Sequence, residues 1–377
     1  MWIRRLSTVV LIIFVGSLIF IAAYMAAGAL PVQDLAQYWS AAHLVRHNPY
    51  SPELVAEFQH SQGIYVDPPL VLKNPPWAIP FILPLRWFGY RAAFAFWTVV
   101  SLIVLMGCTH AIWRNLSPNS SSFIPLLMPI LFGPAIVQLM LGQWTILVFL
   151  GVAIFLIAAE RGQDWIAGAA LVLVLGKPHV ALLFLLAVAL WTVHHKRWRV
   201  WISGTLALLA ASLIVELLNP SIWAQFLART ALVVHEAEAY PNLGGALFAT
   251  TGIHSLALIP QIAGLIWLAW YWKQHRNRWT WWEHGTLVLL CSIVCSYYSY
   301  PYDEILALPA LLLAAAQPKR RAFLAVFLVT ELGYALYITD VAGRLGYGYM
   351  FLCWTASGWL IACILARSQN RSLHRAA

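Results

Sequence analysis

The sequence predicts an all-α, polytopic membrane protein that forms a single integral membrane domain over residues 1–377. Hydrophobic residues make up 62% of the chain and charged residues only 10%, whereas a soluble domain carries about 25% charged residues. Apolar runs also recur at the length of about 20 residues that a membrane-spanning helix needs. We therefore predict about 12 transmembrane helices, with amphipathic helices in the first extracytoplasmic loop.

The predicted spans follow the apolar runs in chain order. They cover residues 6–30, 90–113, 123–141, 143–160, 165–176, 178–194, 198–218, 252–272, 283–298, 303–317, 321–339 and 347–366. The first run is too long for the apolar core of a signal peptide and predicts a retained helix. Segments 165–176 and 178–194 are short and meet at a Gly-Lys-Pro-His break, which a membrane tolerates only where the backbone is buried in protein or lines a cavity. The proline-rich segment 75–88 is predicted to re-enter the membrane or to lie on its surface.

The basic residues set the predicted orientation. Arg4 and Arg5 precede the first span, and they belong to a set of 16 of the 23 lysine and arginine residues that falls on one predicted side. Cytoplasmic loops are enriched in such residues, so we predict a multi-pass protein of the cell membrane with both termini cytoplasmic. The net charge of +9 then marks cytoplasmic loops, and no nucleic-acid partner is predicted.

Three stretches carry polar residues on the extracytoplasmic side. The first outer loop spans residues 31–89 and contains predicted interfacial helices over 35–47 and 53–60. The second long outer loop is 219–251. A third stretch, 297–304, packs four tyrosines and two carboxylates into eight residues. These stretches are where we expect the functional residues.

Asp34 directly follows the first span. A carboxylate held at the membrane surface above apolar helices could act as a general base, because partial desolvation favours its uptake of a proton. The alternative is an ordinary N-cap for the helix that follows. Position alone leaves both interpretations open.

Lys177 lies at the break between two short apolar segments, beside His179. A cation at membrane depth is costly and is usually paired or functional. Lys177 could neutralise a phosphate at the level of the lipid headgroups. The alternative is a lysine whose ammonium reaches up to water.

Asp303 and Glu304 begin a short apolar helix, where the helix dipole favours acidic residues. The tyrosines before them, including Tyr302, could stack on a sugar ring or form an interfacial aromatic belt. Arg229 and Arg344 are outer cations that could bind an anionic lipid, although each could equally be a surface charge. His235 lies near Glu236 and Glu238, but that spacing is not diagnostic of a metal site.

Several chemistries lack their motifs in this sequence. It has no Gly-rich phosphate loop, so a nucleotide-driven pump is not predicted. It has no HExxH and no GxSxG motif. We predict no cofactor and name no metal ligands, although a divalent metal is left open.

The stretch from Asp34 to Tyr50, DLAQYWSAAHLVRHNPY, resembles the opening of glycosyltransferase family 87. This family comprises polyprenyl-phosphate-mannose-dependent mannosyltransferases of the GT-C superfamily. Four later stretches are similar in the same order: Asn74-Pro-Pro-Trp77 with Pro84-Leu85, Gly142-Gln143, Gly176-Lys177-Pro178-His179, and Pro301-Tyr302-Asp303 followed by Leu306-Ala307-Leu308-Pro309.

The resemblance implies a GT-C-like fold and an inverting glycosyltransferase. The enzyme would move mannose, or another hexose or pentose, from a polyprenyl-phosphate donor to a lipid or glycan acceptor on the extracytoplasmic side. Membrane lipid would be a further partner. Asp34 would be the catalytic base. Lys177, Arg344 and Arg229 would bind the donor phosphate, and the sugar or acceptor would contact Tyr38, Gln143, His179, His235, Tyr302, Asp303 and Glu304.

A different class of function is a transporter or flippase for a lipid-linked or polar solute. It predicts ionisable groups in the middle of the membrane, and Glu331 lies inside a predicted span.

Overall fold

The computed structural model describes residues 2–29, 33–118, 122–233, 240–317, 321–340 and 348–376. Its α-helices are α1 (Trp2–Ala29), α2 (Leu35–Leu44), α3 (Pro52–Ser61), α4 (Tyr90–Leu116), α5 (Ile124–Leu131), α6 (Gly133–Leu141), α7 (Thr145–Glu160), α8 (Asp164–Val174), α9 (Leu182–His194), α10 (Trp198–Leu218), α11 (Ile222–Val233), α12 (Leu243–Thr251), α13 (Ile259–His275), α14 (Thr286–Val294), α15 (Leu308–Ala315), α16 (Arg321–Ile338) and α17 (Thr355–Ala376). Short helical turns lie at Pro76–Phe81, Leu83–Trp87, His254–Leu258, Arg276–Arg278, Trp281–Gly285, Pro301–Ala307 and Gly348–Leu352. No strand occurs over these ranges, so the all-α prediction is confirmed.

Several helices are long and apolar enough to cross a membrane, and the chain is a multi-pass membrane protein. Five meet that test in the described ranges: Tyr90–Leu116, Trp198–Leu218, His254–Arg278, Arg321–Ile338 and Met350–Arg367. The bent pair α5 and α6 raises the number to 6 if it is one span. The predicted count of about 12 is therefore not confirmed. Helices fall on all the predicted spans, but α8 and α9 have only 11 and 13 residues, short of the length of about 20 that a bilayer needs.

The lipid-facing helices carry apolar side chains on their outer surface. In α10, Leu206, Leu209, Leu213 and Leu217 are more than half exposed. Exposing such an apolar surface to water is unfavourable, whereas contact with lipid tails is favourable. By contrast, α7 buries 12 of its 16 residues, so it is an interior helix, and its composition is even more apolar than that of α10.

The described residues fall into two compact units. The first unit draws on residues 1–104, 139–143 and 209–235. The second draws on residues 105–138, 144–208 and 236–377.

The first unit contains both predicted helices of the first outer loop. Ser51 caps α3 by accepting a hydrogen bond from the Leu54 amide (3.3 Å). Helix α2 is largely covered by the rest of the unit, because seven of its ten residues are buried. The proline-rich segment forms two short turns, and α2 packs on the second. Trp39 donates from Nε1 to the Phe88 carbonyl at 2.9 Å.

The second unit has an aromatic centre. Phe155, Phe184, Trp191 and Trp281 are all buried and meet edge to face, with ring centroids of Phe155 and Trp281 4.7 Å apart. Small residues bring the helices together here. A Cβ at Gly168 of α8 would lie 2.2 Å from the Val200 carbonyl of α10, so only glycine permits this contact.

The bend between α5 and α6 is 60°, and two residues of α16 stabilise it. The Gly133 amide donates to Glu331 Oε2 at 2.6 Å. Tyr334, one turn further along α16, packs where a side chain at Gly133 would be, because a Cβ there would meet Tyr334 at 2.2 Å. Glu331, the predicted mid-membrane carboxylate, thus bonds the first amide of α6, a position where the helix dipole favours negative charge.

Candidate functional site

Asp34 lies in the first unit, immediately before α2. Its side chain makes no capping hydrogen bond to that helix. Its Oδ2 instead accepts a hydrogen bond of 2.5 Å from Nε2 of Gln143, a residue 109 positions away. Helix capping therefore does not account for this carboxylate.

Gln143 is held in one orientation by Tyr38. The Tyr38 hydroxyl donates to Gln143 Oε1 at 2.7 Å, and both side chains are almost fully buried. Because an amide oxygen only accepts and its nitrogen only donates, this bond turns Nε2 towards Asp34. Tyr38 and Gln143, which are predicted to contact the sugar or acceptor, are thus joined to Asp34 by hydrogen bonds between side chains.

The backbone at position 142, just before Gln143, requires a glycine. Its φ of +67° lies in the left-handed region, which suits glycine because it has no Cβ. A Cβ at this position would also come within 2.9 Å of the Leu35 side chain. Gly142 therefore lets the chain turn after α6 and approach the start of α2, where Asp34 lies.

We expect Gln143→Leu to move the acid limb of the pH–rate profile to higher pH and to lower the rate by about 10–100-fold, which corresponds to the loss of a hydrogen bond to a charged group. A hydrogen bond to a carboxylate favours its charged form, so losing the bond raises the pH at which it protonates. The measurement is kcat/KM against pH for the sugar transfer that the sequence resemblance implies.

Gln59→Leu is the matched control for that substitution. Gln59 is a buried glutamine of the same unit, and its Nε2 donates to the Ser40 hydroxyl at 3.2 Å. We expect this variant to lose stability without moving the acid limb. An unchanged profile in Gln143→Leu would show that the contact with Asp34 is only structural.

Lys177 lies in the second unit, in the turn between α8 and α9, and is 7% exposed. Its Nζ lies 2.9 Å from Asp303 Oδ1 and 3.0 Å from Thr145 Oγ1. The Thr145 hydroxyl donates to the same Asp303 oxygen at 2.6 Å. The Tyr302 ring completes this cluster, with its centroid 4.6 Å from Nζ. The ammonium is buried and bonded rather than extended to water, so a lysine that merely reaches the interface does not describe it.

Asp303 is fully buried, and both of its oxygens are bonded. Oδ2 accepts from the Tyr300 amide at 3.1 Å, while Oδ1 meets Lys177 and Thr145. Buried charges are stable only when they are paired and hydrogen-bonded in this way. The cluster therefore combines a positive group, a negative group and a hydroxyl in fixed positions.

The turn that carries Lys177 depends on its neighbours. A Cβ at Gly176 would lie 2.3 Å from Trp144 Nε1, so the turn packs closely on this ring only because residue 176 is glycine. His179 stands edge-on to Tyr298, with centroids 4.8 Å apart. Its Nε2 is buried and has no hydrogen-bond partner within the described part of the chain.

Glu304 has partners of its own in the second unit. The Tyr334 hydroxyl donates to Oε2 at 2.6 Å, and the Thr355 hydroxyl lies 2.7 and 2.9 Å from the two carboxylate oxygens. All three side chains are buried. These contacts connect Glu304 to α16 and α17.

Of the remaining predicted residues, the structure describes Arg229, which is not part of these clusters. Arg229 on α11 is half-buried in the first unit, near the carboxylate of Glu53. The pKa of Glu53 lies below its usual range because of hydrogen bonds from Ser51 and its own backbone, with a smaller effect of Arg229. Arg344 and His235 lie outside the described residues. Within the described ranges, no group of three or more His, Cys, Asp or Glu residues could hold a metal.

Sequence reasoning did not identify Thr145, Tyr334 or Thr355. Thr145 follows the Gly-Gln motif by two positions, and that proximity is the one signal that could have found it. Tyr334 lies three positions after Glu331, on the same face of one helix. Thr355 carries no such signal.

The family model of glycosyltransferase family 87 matches residues 73–296, more than half of the 377 residues. The chain belongs to glycosyltransferase family 87. This confirms the resemblance seen in the sequence. No curated protein sequence matches the chain.

Only some of the candidate residues of this glycosyltransferase lie within the range that the family 87 model matches. Gln143, Thr145 and Lys177 lie inside the matched range, whereas Asp34 and Asp303 lie outside it. Each cluster therefore joins a residue inside the matched range to one outside it, through a direct hydrogen bond or ion pair.

Proposed function

We propose that this glycosyltransferase inverts the anomeric configuration, uses a polyprenyl-phosphate sugar as donor, and is a hexosyltransferase when that sugar is mannose. It transfers mannose, or another hexose or pentose, to a lipid or glycan acceptor on the extracytoplasmic side of the cell membrane. The observation that carries the proposal is the Asp34 carboxylate, which Gln143 and Tyr38 hold in place and which does not cap its own helix.

In the proposed reaction, an acceptor hydroxyl attacks the anomeric carbon of the donor sugar. Asp34 takes the proton of that hydroxyl as the new carbon–oxygen bond forms. The bond from the anomeric carbon to the phosphate oxygen breaks on the opposite face, and polyprenyl phosphate leaves with the electron pair. One displacement of this kind inverts the anomeric configuration.

Lys177 is the proposed partner of the donor phosphate. An ammonium is a compact charge that suits phosphate, and a positive group stabilises negative charge that grows on a leaving group. The hydroxyl of Thr145 and the carboxylate of Asp303 fix the position of Nζ. We propose that Tyr302 and His179, which lie next to these residues, contact sugar or acceptor.

The proposed orientation puts both termini in the cytoplasm, because basic residues concentrate in the loops that this arrangement makes cytoplasmic. The outer loops then hold Asp34 and the 297–304 stretch. No nucleotide is required on that side, since the lipid phosphate carries the sugar.

The test uses the full chain in proteoliposomes with radiolabelled polyprenyl-phosphate mannose and a membrane lipid extract as acceptor. We expect label in a new product whose sugar has the opposite anomeric configuration to the donor, as read from NMR coupling constants. Glucosyl and arabinosyl donors identify the preferred sugar.

Three results would contradict the proposal. They are retention of configuration, transfer only from nucleotide sugars, and movement of the labelled donor across the bilayer without a covalent product. The last would favour a flippase.

A further inference from the structure

A row of aromatic side chains in the second unit leads from the buried ammonium of Lys177 to the surface. We call it the aromatic row; in order, it consists of Tyr302, Tyr300, Tyr298, Tyr240, Tyr297 and His254. Successive ring centroids lie 5.4, 5.5, 4.5, 6.4 and 6.2 Å apart. The first ring lies 4.6 Å from Lys177 Nζ.

The aromatic row is graded in exposure. Tyr302 is 7% exposed, the next four rings are half-buried, and His254 is exposed. The aromatic centre of the same unit is different, because Phe155, Phe184, Trp191 and Trp281 are all buried. Core packing therefore explains that centre but not the aromatic row.

An interfacial aromatic belt does not explain the row either. Belt residues sit at the level of the headgroups, with their polar ends in water. Here each ring touches the next, and the series runs inward until it reaches a buried ion pair. The inner end of the aromatic row therefore lies at the Lys177 cluster.

Local bonds hold the two segments of the row together. Asn242 caps α12 with its Oδ1 and donates from Nδ2 to the Ser299 hydroxyl at 3.2 Å. This ties Tyr240, two residues before Asn242, to the stretch that carries Tyr298 and Tyr300. The rings are thus positioned before any ligand arrives, which lowers the entropic cost of binding.

The chemistry of the row suits carbohydrate. Tyrosine offers an apolar ring face for the C–H face of a pyranose and a hydroxyl for its polar edge. His179, edge-on to Tyr298, adds a buried Nε2 without a hydrogen-bond partner in the described part of the chain. A buried polar atom of this kind is costly, and a sugar hydroxyl would satisfy it.

We propose that the aromatic row binds the carbohydrate part of the acceptor, with sugar rings against Tyr300, Tyr298, Tyr240 and Tyr297 and the reacting end nearest Lys177. This inference rests on the proposed function and deepens it, because it selects a glycan-bearing acceptor rather than a plain lipid. Because exposure increases along the aromatic row, His254 is its outer end.

The test is saturation-transfer NMR on the detergent-solubilised full chain with mannotriose as the probe. We expect transfer from wild type to the sugar ring protons, and at least about threefold weaker transfer from Tyr298→Leu and Tyr240→Leu, since each loses one ring contact. Tyr298→Phe should keep the signal because the ring face remains. His254→Ala changes only the exposed end and covers the case in which the inner variants misfold.

Trp201→Leu is the matched control. Trp201 is a half-exposed ring of α10 in the same unit and is outside the aromatic row. It should leave the mannotriose signal unchanged. Equal signals from wild type, Tyr298→Leu, Tyr240→Leu and His254→Ala would overturn the inference, as would no signal from wild type.

Kinetics separate this inference from the proposed function. With a glycolipid acceptor, Tyr298→Leu, Tyr240→Leu and His254→Ala should raise the acceptor KM at least about threefold and leave kcat unchanged, because they remove binding that is uniform through the reaction. Mannotriose binding without use of any polyprenyl-phosphate donor would overturn the proposed function alone. Efficient transfer to an acceptor lipid without sugar, with no mannotriose binding, would overturn this inference alone.

Discussion

Asp34→Asn is expected to lower the rate of sugar transfer by about 10²–10⁴-fold, the usual contribution of a general base. Asparagine has the shape of aspartate, and its side-chain oxygen can still accept from Gln143 Nε2, so the link to Tyr38 is retained. What the amide cannot do is take a proton from the acceptor. The measurement is the initial rate with radiolabelled polyprenyl-phosphate sugar in proteoliposomes, together with a thermal unfolding curve.

Glu57→Gln is the matched control for this loss. Glu57 is an exposed carboxylate on α3 of the same unit, and the same change of charge there should leave the rate within about twofold. If Asp34→Asn transfers sugar as fast as Glu57→Gln, Asp34 is not the base. If it unfolds well below wild type, the carboxylate has a structural role as well.

Lys177→Met is expected to destabilise the protein by about 3–5 kcal/mol, because it leaves the buried carboxylate of Asp303 without its counter-charge. Asp303→Leu should do the same for the ammonium. The double variant removes both charges and should recover much of the lost stability, since two apolar side chains can replace a buried ion pair at little cost. Thermal unfolding of all four proteins gives the coupling energy.

Transfer activity then separates the structural role of Lys177 from the functional one. If Lys177 binds the donor phosphate, the double variant is stable and still inactive. Recovery of both stability and activity would reduce the pair to a structural bridge. Arg197 and Asp164 provide the comparison: their ion pair of 3.1 Å has an arginine side chain that is 36% exposed, so its coupling should fall near the 0–1 kcal/mol of surface pairs.

Much of the architecture was predictable because it follows from composition. Long apolar runs must face lipid or lie in a protein interior. At this number and length they predict an all-α membrane protein. The number of spans was not predictable in the same way. The interior helix α7 is even more apolar than the lipid-facing helix α10, and the length of an apolar run does not show which neighbours cover a helix.

The candidate site was also only partly predictable from the sequence. Asp34, Gln143, Lys177 and Asp303 stood out as polar residues in apolar surroundings. Which of them pair with each other was not predictable, because the bond from Lys177 to Asp303 joins positions 126 residues apart, and only the tertiary fold sets that distance. Thr145 looks like any threonine at the start of a helix until the fold places its hydroxyl between those two charges.

The bend between α5 and α6 has a consequence for how the protein fits bilayers of different thickness. A helix pair that could straighten would lengthen its apolar surface when the surrounding lipid thickens. Glu331 and the Tyr334 ring, which packs on Gly133, hold this bend in place. Straightening would break a partly buried hydrogen bond and open a gap beside the ring. Hydrophobic mismatch must therefore be absorbed by tilt of the straight helices or by deformation of the lipid around them.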